Sequence, residues 1–227
     1  MTVAPPESPV IEGLRSLEVR WILSGRLEPA VAGWFGRFPA ETVFRQDAYL
    51  LGPELGGLSV KIRAGTALEV KAYRGSPGIL DVASRARGRI ESWQKWSFPC
   101  SPLNWDGSGP AGWRIIRKTR RITRFWLAGE RAVTATPGRA TEPVCAAELT
   151  DIHSGRQAWW SLGLEATGPA DRLHGALYST AAQLFTQPLP GDLELDMSDC
   201  QSYAQWLSWH QEPRVTEAPA RYRPRSG

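Results

Sequence analysis

The stretch SLEVRWIL, from Ser16 to Leu23, alternates apolar side chains with charged ones. Leu17, Val19 and Trp21 fall on one face of an extended chain, and Glu18, Arg20 and Ile22 fall on the other. The same habit returns along the sequence. In TVFRQDAYLL (Thr42 to Leu51), Arg45, Asp47 and Tyr49 share a face. LSVKIR (Leu58 to Arg63) aligns Lys61 with Arg63, and ALEVKAY (Ala67 to Tyr73) aligns Glu69 with Lys71. WRIIRKTRRITRFWL (Trp113 to Leu127) is long and mostly β-branched, aromatic or basic, and Val144 to Thr150 and Ala158 to Ala166 are further strands. Gly and Pro clusters separate these runs, as antiparallel connections require. One such strand is a half-buried strand facing water. Several in one chain predict a closed sheet with a charged interior, since a barrel of about eight strands encloses a lumen.

Helices are fewer. Pro29 opens a short one through Phe35. Ala170 to Phe185 spaces Leu173, Ala176, Leu177, Ala181, Leu184 and Phe185 at helical intervals. Ser198 with Gln201 gives a capping-box signal for a helix reaching about Trp209. Ile79 to Phe98 is ambiguous between helix and strand. Residues 1–14 and 211–227 are proline-punctuated and read as flexible tails, the second basic, around one domain over 15–210. The fold class expected is α+β, predominantly antiparallel β, with a closed or nearly closed eight-stranded barrel.

Composition sets outer bounds. The chain has 227 residues, 42% hydrophobic and 22% charged, with a net charge of +4; that is ordinary for a folded domain and too mildly basic to demand a nucleic-acid partner. It contains no apolar run long enough for a membrane helix and no expected secretory signal. Cys100, Cys145 and Cys200 stand far apart, so neither a disulfide framework nor a zinc knuckle is read, and a cytoplasmic setting is expected. There is no phosphate-binding glycine loop, dinucleotide fingerprint or nucleophile elbow. His153, His174 and His210 lack metal-ligand spacing, and Asp106 reads as a turn residue.

The charged faces carry the chemistry. Lys61, Arg63, Lys71, Lys118, Arg120 and Arg124 are cationic; Glu18, Glu69, Glu148 and Glu165 are anionic. Arg and Lys grip phosphate oxygens through charge-assisted hydrogen bonds, while carboxylates hold Mg²⁺ or Mn²⁺ beside them.

In the order of its pieces the sequence resembles the CYTH superfamily, the triphosphate tunnel metalloenzymes. EVRWI (Glu18 to Ile22) stands where the family opens with E-x-E-x-K. RQDAY (Arg45 to Tyr49), VKIR (Val60 to Arg63), LEVK (Leu68 to Lys71), KTR (Lys118 to Arg120), AAELTD (Ala146 to Asp151), GLEA (Gly163 to Ala166) and SYAQWL (Ser202 to Leu207) follow in the family's order. The resemblance implies an antiparallel β tunnel that acts on a triphosphate or other phosphate-rich small molecule with Mg²⁺ or Mn²⁺, as a phosphoanhydride hydrolase. It implies Glu18, Glu165 and Glu148 as metal ligands. Lys61, Arg63, Lys71, Lys118 and Arg120 would grip phosphate.

The sequence departs from that pattern at three positions. Arg20 replaces the second Glu of the opening motif, Ile22 replaces its Lys, and Gly163 replaces the first Glu of the closing motif. A unit charge of like sign at ~4 Å costs roughly 4 kcal/mol at an effective dielectric constant of 20, and a doubly charged ion about twice that, so Arg20 opposes a metal at its position. It is read instead as a phosphate-neutralising cation. An eroded protein that binds the ligand without cleaving it is one alternative. Another is a nucleic-acid module built on RIIRKTRRITR beside Trp113, Phe125 and Trp126.

Overall fold

The computed structural model describes residues 13–52, 55, 57–82, 85–100, 112–128, 131–134 and 144–209. The expected tails lie almost wholly outside these residues, as do Asp106 and His210. Among the described residues nine strands and three α-helices follow in order: β1 (Leu14–Ser24), α1 (Pro29–Phe35), β2 (Glu41–Leu50), β3 (Leu58–Arg63), β4 (Ala67–Val82), β5 (Ala86–Pro99), β6 (Trp113–Ala128), β7 (Arg131–Thr134), β8 (Val144–Ser154), β9 (Gln157–Thr167), α2 (Leu173–Leu184) and α3 (Tyr203–Trp209).

The strands join in the order β2-β3-β4-β5-β1-β9-β8-β6-β7, and β2 also pairs with β6. That last ladder runs from Glu41 opposite Ile122 to Leu50 opposite Trp113 and closes an eight-stranded antiparallel barrel. β7 lies outside the closed circuit and continues along β6 from Phe125, just past the end of the β2 pairing. The expected barrel is therefore present. The ambiguous segment resolves as the end of β4 and the whole of β5. β4 runs on through Arg74–Gly78 because two register shifts, one on each side of the paired Gly75, leave Arg74, Ser76 and Pro77 out of the ladder.

Alternation sorts the side chains between two environments. On β1, β8 and β9 one set points outward: Val19 and Trp21; Cys145, Ala147 and Leu149; Leu162, Leu164 and Ala166. These pack beneath α1 and α2 in the main hydrophobic core. α2 meets them with Leu173, Ala176, Leu177, Ala181 and Leu184, the predicted helical stripe. At about 1.5–3 kcal/mol for each large side chain, this outer layer holds the wall together. A second, smaller cluster (Ile22, Tyr49, Ile116, Ile152, Trp206 and Leu207) brings α3 against the barrel.

β1 pairs with β5 only from Leu14 to Glu18. Beyond that the segment before α3 takes over the edge: Ile22 N–H donates to Asp199 O at 2.9 Å, and Gln201 N–H to Arg20 O at 2.9 Å. The capping box of α3 sits four residues later than the sequence suggested. Ser202 N–H donates to Gln205 Oε1 at 3.1 Å, and Gln205 N–H to Ser202 Oγ at 3.3 Å. Ser198 is engaged in a turn instead, donating from N and Oγ to Asp196 Oδ1.

Trp21 lies across β5 and donates from Nε1 to Arg87 O at 3.0 Å. A Cβ on the neighbouring Gly88 would fall 2.7 Å from Val19 Cγ2 and 2.8 Å from Trp21 Cζ2. Gly88→Ala is thus expected to lower stability by about 1–3 kcal/mol. Urea unfolding checks this; an unchanged midpoint would show that Trp21 shifts freely.

Candidate functional site

The complementary set of side chains points into the barrel. An inner cavity of about 80 Å³ is lined by the cations Arg20, Arg45, Lys61, Lys71, Lys118 and Arg120 and by the carboxylates Glu18, Glu69, Glu91, Glu148 and Glu165. Of the residues expected to grip phosphate or metal, Arg63 alone is not among this lining. Its side chain is 45% exposed and pairs with Glu69 at 3.0 Å. Tyr49, Trp93 and Tyr203 complete the wall. A wider space of about 400 Å³ adjoins it, sharing Tyr49, Ser59, Glu91, Trp93, Ser202 and Ala204, and adds Leu51, Leu55, Leu58 and Leu207.

Each strand contributes through its register. Glu18 stands directly opposite both Glu91 on β5 and Glu165 on β9, so three acids form a row across three strands. Lys71 reaches in from β4 and relieves their repulsion: its Nζ lies 2.6 Å from Glu18 Oε1 and 3.5 Å from Glu165 Oε1. Chiefly through Lys71, Glu165 is held down at about 2 against the pull of burial. Burial alone would lower the Lys71 ammonium, but Glu165 and Glu18 carry it above its ordinary value.

A second row runs Arg20, Gly163, Glu148 across β1, β9 and β8. Adjacent strands lie about 4.8 Å apart, so Arg20 must cross β9 to meet Glu148. Gly163 makes that possible. A Cβ there would fall 2.7 Å from the Arg20 guanidinium carbon. Arg20 Nη1 donates to Glu148 Oε1 at 3.3 Å and to Ser161 Oγ at 3.1 Å. Arg120 bonds the other oxygen of Glu148, Oε2, and Thr150 Oγ1 donates to Oε1 at 2.7 Å. Burial would raise Glu148; the two guanidiniums hold it well below the usual carboxylate range. Arg120 Nε is buried without a hydrogen-bond acceptor among the described residues.

On the opposite wall, Lys118 Nζ donates to Tyr49 Oη at 2.7 Å and sits 3.3 Å from Asp47 Oδ2. It lies 3.6 Å from the centre of the Tyr203 ring, and Tyr203 stacks on Tyr49 at 5.8 Å. Desolvation lowers the Lys118 ammonium. Burial pushes Tyr49 up to about 12. Burial also works to raise Asp47, but Lys118, Lys61 and Arg45 hold it at about 2.

The basic run of β6 divides between faces. Lys118 and Arg120 point inward, while Arg121 pairs with Asp151 and the exposed Arg124 with Glu41. Four lining residues carried a weak sequence signal. Arg45 and Tyr49 follow from the alternation of β2, but Trp93 lay in the ambiguous segment and Tyr203 on a helix whose first residue was misplaced.

The donor set does not suit Mg²⁺ or Mn²⁺. Among the described residues no group of three or more acidic, His or Cys side chains is arranged to hold a metal. Glu18 and Glu165 share the Lys71 ammonium, Glu148 is clamped by two guanidiniums, and Glu69 is paired with Lys61 and Arg63. Among the described residues no helix is long and apolar enough to cross a membrane.

No family model matches the chain, and no curated protein does. Several solved structures overlap its trace. A candidate adenylyl cyclase of Hippeastrum that reveals a dominant triphosphatase activity is 12% identical, with 75% of this chain and 88% of that one covered at a TM-score of 0.40. The PH1819 protein of Pyrococcus horikoshii is 11% identical over 86% and 99%, at 0.42. The Pct1 RNA triphosphatase of S. pombe is 12% identical over 78% and 81%, at 0.35. The strand order and the β2–β6 closure are what establish the architecture of this chain. It is a closed eight-stranded antiparallel β tunnel.

Proposed function

We propose that the barrel binds a small, phosphate-rich anion. The observation that carries this is the convergence of six cationic side chains from five strands on one cavity. Guanidinium and ammonium donors held in place by ion pairs bind an anion with little reorganisation. On β6, Arg121 and Arg124 are paired with Asp151 and Glu41, while Arg117 is exposed; the oligonucleotide competition below tests whether that surface binds nucleic acid.

Tripolyphosphate is the probe. Calorimetry is expected to show one site, with three equivalents of monophosphate competing poorly and a single-stranded oligonucleotide competing no better. Lys118→Ala and Arg120→Ala are each expected to weaken binding about tenfold, the scale of one lost charge-assisted bond. Undiminished affinity in both variants would refute the reading.

A second reading, cleavage of a phosphoanhydride, is favoured by Glu91. Among the described residues it is the cavity carboxylate without an ion pair. Burial raises it above its ordinary value, and Trp93 Nε1 donates to it at 3.0 Å. Such a carboxylate suits proton abstraction from an attacking water. The water oxygen would bond to phosphorus as the anhydride oxygen leaves, its charge met by the surrounding cations. In a phosphate-release assay, Glu91→Gln should abolish turnover and leave binding intact; equal release from both proteins would rule Glu91 out.

A further inference from the structure

We infer that the barrel carries its own cations, Lys71 and Arg20, in the two places where a divalent ion would otherwise be needed, and binds its anion without one. The first place is the row Glu91, Glu18, Glu165. Three carboxylates in register across adjacent strands are the nearest thing to a metal site in the described barrel. The Lys71 ammonium is bonded to two of them. A metal would have to expel a buried ammonium that contacts both.

The second place is the row Arg20, Gly163, Glu148. Arg20 occupies the space of two side chains, its own and the one that Gly163 lacks. It bridges Glu148 and Ser161 and lies 5.0 Å over the Tyr203 ring. Its position is further set by the backbone bond from Gln201 to Arg20 O. A guanidinium so held supplies fixed positive charge toward the cavity with directional donors, which is the electrostatic part of a metal's role toward phosphate. The two residues are interdependent. A side chain at 163 would displace the guanidinium, and Arg20 without the glycine would not reach Glu148.

The statement about the filled cation places stands on the ion pairs alone; its extension to the anion rests on the proposed function. The experiment separates them. Free Mn²⁺ is followed by its electron paramagnetic resonance signal as protein is added. The natural protein is expected to leave that signal unchanged at equimolar concentration, and Lys71→Met, with the Glu91–Glu18–Glu165 row released, is expected to deplete it. Depletion by the natural protein overturns the inference, and so does a folded Lys71→Met variant that leaves the signal intact. If that variant does not fold, Lys71→Gln and the natural protein's own titration still decide.

In the second arm, tripolyphosphate binding is measured calorimetrically in EDTA and in Mg²⁺. Affinity in EDTA is expected to be undiminished, and Arg20→Gln is expected to weaken it about tenfold in EDTA. Binding that requires Mg²⁺ overturns the inference. Absence of tripolyphosphate binding under both conditions overturns the proposed function, while the Mn²⁺ titration continues to decide whether the cation places are filled.

Discussion

Replacing Glu148 with alanine is expected to cost about 3–5 kcal/mol of folding stability, the range measured when one partner of a buried ion pair is removed. Glu148 is the shared acceptor for Arg20, Arg120 and Thr150. Its loss leaves two guanidiniums facing each other in a space of low water content, with Coulomb repulsion added to desolvation. A conservative Glu148→Gln keeps the volume and removes the charge, so it isolates the electrostatic part. Chemical unfolding of both variants gives the magnitude. Tripolyphosphate should raise the melting temperature of the variants more than that of the natural protein, because the freed guanidiniums become its ligands and binding to the native state alone stabilises it. A loss below about 1 kcal/mol, the value of an exposed pair, would mean that water reaches Arg20 and Arg120 readily.

The second large effect is loss of stability in acid. Asp47 and Glu165 are held at about 2, and Glu148 lies well below its ordinary value. Each therefore binds protons less readily in the folded chain than in the unfolded one. Their contribution is fully present above the unfolded values, near 4 to 4.5, and disappears as pH falls from there toward about 2. Asp47 accounts for about 2 kcal/mol and Glu165 for about 3 kcal/mol. Glu91, whose value is raised, acts in the opposite sense: its contribution is present below the unfolded value and fades as pH rises through the folded one. Glu69 and Asp196 are also lowered and Asp199 is raised, so the lowered carboxylates outnumber the raised ones and predict a steep decline in urea stability below about pH 4.5 and a nearly flat profile from about pH 5 to 7. A flat profile down to about pH 3 would show that the interior ion pairs contribute nothing to folding.

Much of this arrangement was legible in the chain. Period-two alternation puts Glu18 and Arg20 on the face opposite Val19 and Trp21 whatever the sheet does next, and the same holds for Lys61, Lys71, Lys118, Arg120, Glu148 and Glu165. Closure followed from counting such strands. What alternation does not encode is which residue meets which across strands. That Glu91 would lie beside Glu18, or that Gly163 would give Arg20 its route to Glu148, depends on register, and register is set by long-range pairing. Arg63 shows the same limit: it shares a face with Lys61 yet lies near the end of β3, where its side chain is half exposed. Breaker residues misled in β4, where bulges carry the strand past Gly75 and Pro77. The α3 cap moved by four residues because Ser198–Gln201 and Ser202–Gln205 have the same spacing, and only the turn at Asp196 chooses between them.

The hydrophobic layer that holds the wall lies outside the barrel, beneath α1 and α2, while the ionic side chains line its lumen. Mutation can therefore rewrite the lining as long as charges stay balanced, without disturbing the greasy seam that keeps the barrel closed. A scaffold partitioned in this way can change what its lumen recognises while its shape persists, and the paired fit of Arg20 into the space left by Gly163 is one such local solution.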